Sequence, residues 1–239
     1  MADGDRGDTI RVATWNVCHC EGLDRRIDVA RIIEVCRGFE ADVISLQELD
    51  NGLERSGFTH QAAEISSSLD LELFWIPAIE RGDASYGNAL LSREPLHDQD
   101  ILTLPPEDGR EPRVAGVGRL GADGGDSTIW VAATHLQHQR RGDPKPAHAI
   151  EQIRGLTTTL ATLSGAQVVL GDLNVSPDEA LAAVEPTGFD RVDAPPTFPV
   201  RRPRRSIDWI LVRGVGWSPA STVDTHASDH LPLIADLTL

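Results

Sequence analysis

Eight acid, amide and imidazole residues stand in or just beyond short apolar runs that lie far apart along the chain: Asn16, Glu48, His135, Asp172, Asn174, Asp208, Asp229 and His230. Burial in such runs strips a polar side chain of water and obliges it to find a partner. Carboxylates and amides gathered at the ends of several strands would supply the hard oxygen ligands that Mg²⁺ prefers, while a nearby His handles protons or meets developing negative charge. The chemistry such a set could perform is metal-assisted attack on a phosphoryl group. Taken singly, each residue has an ordinary reading as well. Glu48, after Val43-Ile44-Ser45-Leu46-Gln47, fits a solvated strand end. Asp172 and Asn174, with Ser176-Pro177-Asp178, fit a polar turn. Asp229 fits a cap on the loop leading into the final strand, and His230 a hydrogen-bonded core histidine. Asp208 resists such a reading, because an unpaired carboxylate between Ile207 and Trp209-Ile210-Leu211 would be costly.

The elements that must position these residues are legible as apolar patterns. Alternation predicts a strand over 9–17, with Ile10, Val12, Thr14 and Asn16 on one face and Arg11, Ala13, Trp15 and Val17 on the other. A helical stripe of Val29, Ile32, Ile33 and Cys36 follows, then a strand over 41–46, which makes a β-α-β opening. Further on, the pattern predicts a helix over 61–69 and strands over 73–76 and 88–92. A hairpin joins 114–120 to 128–134 about Gly121-Ala122-Asp123-Gly124-Gly125. Ile153, Leu156, Leu160 and Leu163 share one face of a helix over 150–163 that feeds a short strand at 167–170. The last third alternates Pro-rich loops with strands over 207–212 and 231–239. Mixed strand order with helices between strands suggests two sheets packed face to face with helices outside.

Composition narrows the possibilities further. The 239 residues carry 22 Lys+Arg against 37 Asp+Glu, a net charge of −15, which disfavours a general nucleic-acid binder acting through its overall field. A domain over 9–239 is expected after a disordered tail at 1–8, since nothing between marks a linker or repeat. Three cysteines, Cys18, Cys20 and Cys36, are too few to staple such a chain. With no apolar run of membrane length and a start lacking signal-peptide character, a cytoplasmic protein without membrane association is expected.

Six short motifs then stand out as an ordered set: Thr14-Trp15-Asn16, Leu46-Gln47-Glu48, Thr134-His135-Leu136, Gly171-Asp172-Leu173-Asn174, Ser206-Ile207-Asp208 and Ser228-Asp229-His230. In order and spacing they resemble the signature of the endonuclease/exonuclease/phosphatase superfamily, from about residue 10 to the C-terminus. The resemblance implies an α/β fold, a four-layer α/β/β/α sandwich of two mixed sheets with flanking helices, and an active site where strand-end loops meet. It makes Glu48 the principal ligand for Mg²⁺ (or Mn²⁺), with Asn16 beside the metal and the scissile phosphate and Asp229 as a second metal-side carboxylate. Asp172 would orient or deprotonate the attacking water, and Asn174 would hold water and phosphate in line. His230 would meet the developing negative charge, held in its tautomer by Asp208, and His135 resembles the histidine some members place near the leaving oxygen. At one position the chain departs from the pattern. Cys18 stands where many nuclease members carry an oxygen ligand, and a hard cation gains little from a thiol. A soft-metal reading of Cys18-His19-Cys20 lacks zinc-site spacing, and small buried cysteines are its plain alternative.

The expected partner is a phosphate-ester substrate. Arg191 to Arg213 holds six Arg against Asp193 and Asp208, a local balance of +4 in an acidic chain, and Arg140, Arg141 and Lys145 follow His135. Positive charge focused at a cleft attracts an anion even when the whole protein is negative; the same arginines could instead pair with surface carboxylates. Arg55, Asn88, Arg204 and Arg205 are candidate substrate contacts. Few aromatic wedges and no long insertions favour a small phosphodiester or phosphomonoester over duplex DNA, with single-stranded nucleic acid as a further class. The competing readings are a nuclease of the abasic-site or DNase I type and, outside enzymes, a phosphate-binding module that keeps the fold without turnover. No obligate protein partner is evident.

Overall fold

The computed structural model describes residues 9–107, 109–121, 128–139 and 146–239. The expected tail at 1–8, the tip of the central hairpin beyond Gly121, and Arg140, Arg141 and Lys145 lie outside the described residues. In chain order the elements are β1 (Thr9–Asn16), α1 (Val29–Arg37), β2 (Val43–Asn51), α2 (Gln61–Leu69), β3 (Glu72–Arg81), β4 (Ala84–Ser92), β5 (His97–Thr103), β6 (Val114–Leu120) and β7 (Ile129–His135). They continue with α3 (Ala147–Leu160), β8 (Ala166–Asp172), α4 (Pro177–Val184), β9 (Asp190–Arg191), β10 (Asp208–Arg213), β11 (Gly216–Trp217), β12 (Ser221–Thr222) and β13 (Leu233–Thr238).

The strands form two sheets, one of seven strands in the order β11-β13-β1-β2-β4-β3, with β12 also on β13, and one of six in the order β5-β6-β7-β8-β10-β9. Each sheet is mixed for the same reason. The pairs β1/β2 and β7/β8 are parallel and joined through α1 and α3, whereas the other neighbours run antiparallel. Strand alternation then divides the apolar residues among three cores. Val12, Val43, Leu90 and Leu233 from one sheet meet Val131, Leu170 and Ile210 from the other. The opposite face of the first sheet, including Ala13, Trp15 and Leu46, is covered by Ile32 and Cys36 of α1 and Ile65 of α2. Ile153 and Leu156 of α3 and Val184 of α4 cover Val169, Trp209 and Leu211 on the second. Full burial of a large aliphatic side chain contributes roughly 1.5–3 kcal/mol, so three filled interfaces hold four layers together. This is the α/β/β/α sandwich.

Several elements differ from expectation. Strand β2 continues past Leu46 to Asn51, with its register on β4 shifting between Leu46 and Leu49. The sequence reading overlooked β5, because His97–Thr103 is an exposed edge strand without an apolar face. The cluster expected as a turn at Ser176-Pro177-Asp178 begins helix α4. Ser176 caps it, and the Glu179 carboxylate accepts from the Ser176 backbone N–H at 3.1 Å and hydroxyl at 2.6 Å. Among the described residues no helix is long and apolar enough to cross a membrane.

Candidate active site

Strand register alone brings three of the eight polar residues close together. In the second sheet His135 at the end of β7 pairs with Asp172 at the end of β8, and Asp172 pairs with Asp208 at the start of β10. Gly171 makes this row possible. A Cβ there would lie 2.0 Å from the Thr134 carbonyl oxygen, so no larger residue lets β7 and β8 approach so closely. In the first sheet Asn16 ends β1, opposite Gln47 of β2, and the next residue, Glu48, turns out of the ladder with φ of +62° at the irregularity.

Asn16 ties the two sheets together. Its Nδ2 donates to Glu48 Oε1 at 2.9 Å and to Asp172 Oδ2 at 3.1 Å, while its Oδ1 accepts from the Cys18 backbone N–H at 3.0 Å. Asp172 is buried and also accepts from the Asn174 N–H at 2.9 Å. Burial, and then the neighbouring charge of Asp208, push its carboxyl up to about 7, against the opposing pull of His230, Asn16 and Asn174. His230 responds in the other sense. Burial alone would favour the neutral ring, but the charges of Asp208 and Asp172 outweigh it and raise the imidazole to about 10. Its Nδ1 faces Asp208 Oδ2 at 2.9 Å, and its Nε2 lies 3.8 Å from Asp172 Oδ2. Asp208 accepts as well from the Thr197 hydroxyl, so this fully buried carboxylate has the donors it needs.

His135 is kept neutral. Burial, then the charges of Arg113, His230 and His138, push its pKa well below the usual imidazole value. Asn174, held at φ of +53°, uses Nδ2 for the Leu136 carbonyl at 3.1 Å and for His135 Nε2 at 2.9 Å. This contact suits a ring whose Nε2 accepts and whose proton is on Nδ1, an atom that is buried without a partner among the described residues. The neutral ring is an anchor for Asn174, and the Asn174 amide oxygen is left available to a ligand.

Glu48, His135, Asp172, Asn174, Asp229 and His230 line one cleft of about 730 Å³, whereas Asn16 and Asp208 stand behind its wall. Donor chemistry separates the groups that could hold a divalent cation. The buried group Asp172, Asp208 and His230 has the span of a metal site. However, His230 and Thr197 already occupy Asp208 there, and a cationic imidazole repels a metal. Glu48 and Asp229 are half-buried carboxylates with no Arg or Lys partner among the described residues, which suits a hard cation. The triplet Cys18-His19-Cys20 is not a ligand set, since Cys20 lies in the core beside Ile32 and Cys36. Cys18 and His19 do come together with Glu48 over the span of a metal site, although a thiol and an imidazole suit a hard cation less well than carboxylates.

The candidate substrate contacts separate. Arg55 lines the cleft over the Tyr86 ring at 5.6 Å, held by buried Asp50 at 2.7 and 2.8 Å. Arg205 lines it too, 5.7 Å over the Phe198 ring, which in turn packs 4.6 Å from the His230 ring. Arg204 is exposed outside the lining. Asn88 does not reach the cleft. It is buried, on the same strand face as Leu90, and is not among the residues that line the cleft. Arg201, Arg202, Arg204 and Arg205 have no carboxylate within ion-pair distance among the described residues, so pairing with the surface does not account for them. Thr197, Phe198 and Arg113 escaped the sequence reading. Ala194-Pro195-Pro196-Thr197-Phe198-Pro199 reads only as a loop, and an Arg ahead of an apolar run carries no signal.

No curated protein matches the sequence. Among solved structures, an endonuclease/exonuclease/phosphatase from Beutenbergia cavernae is 23% identical, with a TM-score of 0.77 over 98% of this chain and 72% of its own. The Bacteroides thetaiotaomicron mannosyl-6-phosphatase is 16% identical, with a TM-score of 0.78 over 96% of this chain and 100% of its own. The human Nocturnin catalytic domain, with bound sulfate, is 20% identical, with a TM-score of 0.72 over 97% and 93%. At these identities the likeness is one of fold. The sequence model described as the endonuclease/exonuclease/phosphatase family matches residues 13–230, most of the chain, and the protein belongs to that family.

Proposed function

We propose that this chain is a divalent-metal-dependent phosphoester hydrolase of a compact anionic substrate, a phosphodiester or phosphomonoester. The observation that carries the reading is the pairing of an elevated carboxyl, Asp172, with an imidazolium, His230, in one cleft that also presents two carboxylates, Glu48 and Asp229, without an Arg or Lys partner among the described residues. Asp172, poised near neutrality, takes the proton of the attacking water, and the Asn174 amide oxygen orients that water. His230 donates from Nε2 to the phosphoryl oxygens as negative charge grows, with Asp208 and Thr197 fixing its ring. A divalent cation held by Glu48 and Asp229, with Asn16 setting the Glu48 carboxylate, would supply Lewis-acid neutralisation of a phosphoryl oxygen. A cavity near 730 Å³ is of small-molecule size, which supports a compact substrate.

Release of phosphate, nucleotide or nitrophenol from a panel of esters, with Mg²⁺, Mn²⁺ or EDTA, tests this. Turnover is expected only with metal, and Glu48→Ala and His230→Ala are each expected to cost about 10²–10⁴ in rate. Turnover that survives chelation or both substitutions overturns the reading. A labelled oligonucleotide cut far faster than small aryl esters overturns the compact substrate in favour of a nuclease.

A further inference from the structure

One charged group in the cleft wall enters the chemistry above only through the effect of its charge on His135. Arg113, just before β6, is only 5% exposed, yet among the described residues its guanidinium forms no hydrogen bond and its Nε is buried without a partner. Its ion pair is with Glu111, whose Oε2 lies 3.5 Å from Nη2, and the Glu111 side chain is 54% exposed. That separation is longer than a good charge-assisted hydrogen bond, and a carboxylate so wet compensates a buried cation poorly. Burying an ion costs several kcal/mol unless a close counter-charge is supplied. The other cleft arginines differ, since Arg55 is held at two points by Asp50, Arg81 is exposed and Arg205 is exposed over Phe198. Arg113 also makes no ion pair with Glu48, Asp172 or Asp229, the carboxylates that would draw a guanidinium placed at the reaction centre.

We propose that Arg113 is a specificity-determining residue that binds an anionic group of the substrate other than the reacting phosphoryl group, either a carboxylate or a second phosphate. The proposal rests on the hydrolase reading and narrows it to substrates with two anionic groups. Glu111 is then a tethered competitor that the incoming anion displaces, and the two residues of one ion pair acquire effects of opposite sign.

The probes are alkyl phosphates of two to five carbons whose far end is a methyl, a carboxylate or a second phosphate. Binding is measured by calorimetry and hydrolysis by phosphate release. At one chain length the anion-ended ester is expected to bind at least about tenfold more tightly than the methyl-ended one. Arg113→Gln is expected to erase that preference through KM for the anion-ended ester, with KM for the methyl-ended ester little changed, and Arg113→Lys to keep part of it. Glu111→Gln is expected to strengthen anion-ended binding, a result that a purely structural ion pair does not give. Arg113→Lys and Glu111→Gln decide the matter should Arg113→Gln fail to fold. The carboxylate and phosphate arms identify the group. No preference at any length, or a preference that survives Arg113→Gln, overturns the proposal. A preference that follows Arg113 in calorimetry while no ester is hydrolysed leaves the anion site standing and defeats the hydrolase reading instead.

Discussion

Asp172 and His230 show how one buried neighbourhood drives two groups apart. The carboxyl is raised to about 7 by burial and by Asp208, and the imidazole is raised to about 10 because the two aspartates outweigh the cost of burying its charge. If Asp172 acts as the base and His230 as the cationic donor, kcat/KM rises as pH passes about 7 and falls near 10. Asp208→Asn removes the larger support of the imidazolium, so the falling limb is expected to move toward neutrality; a limb that stays in place refutes the pairing. The same shifts act on stability, with opposite signs. His230 is raised from 6.5, so its contribution is complete below that value and disappears as pH climbs through about 10. Asp172 is raised from 3.8 to about 7, so holding it ionised in the fold destabilises increasingly across that window. Asp172→Asn is therefore expected to abolish turnover while raising Tm by a few degrees, about 2–8 °C, more at pH 8 than at pH 5. An unchanged or lowered Tm at pH 8 would show that the carboxylate is not held at a cost.

At the scale of elements, the site depends on how closely strands approach. The row His135, Asp172, Asp208 exists because β7 and β8 close on Gly171, where a Cβ would sit 2.0 Å from a backbone oxygen. Gly171→Ala must part these strands, and a loss of about 2–4 kcal/mol in denaturant unfolding, with activity reduced beyond what the lost folded fraction explains, is expected. Near-parent stability would mean the strands shift freely at this row. Much of this framework was legible beforehand. The alternation of Val12 and Ala13 separated the inter-sheet core from the helix-covered face, and α2 runs over Gln61–Leu69 as its pattern indicates. The ordered motifs named residues that register then brings together. Elements whose formation owes little to apolar pattern were not legible. Strand β5 is a polar edge held by backbone bonds to β6, and α4 starts from a capping box within a polar cluster that also spells a turn. The departure of Glu48 from the ladder and the bond from Thr197 to Asp208 are tertiary facts, set by groups distant in sequence.

The whole molecule carries a charge of −15, a field that would repel the anionic ester proposed for the cleft. The segment from Phe198 to Arg205, closed by a bridge between those two residues, reverses the sign locally. Arg205 reaches the cleft, and Arg201, Arg202 and Arg204 stand in solvent beside it without acidic partners among the described residues. Exposed arginines at this distance contact little of a compact ester, so their effect is expected in capture rather than in the chemical step. Replacing Arg201, Arg202, Arg204 and Arg205 by Ser is expected to raise KM by about tenfold or more while kcat changes little, the signature of lost uniform binding. Salt provides an independent control. The Debye length falls from about 30 Å at 0.01 M to about 10 Å at 0.1 M, so the parent's kcat/KM should decline steeply across that range and the variant's should be nearly flat. Equal salt slopes would show that the arginine hairpin does not steer substrate, and a fall in kcat alone would place it in the transition state instead.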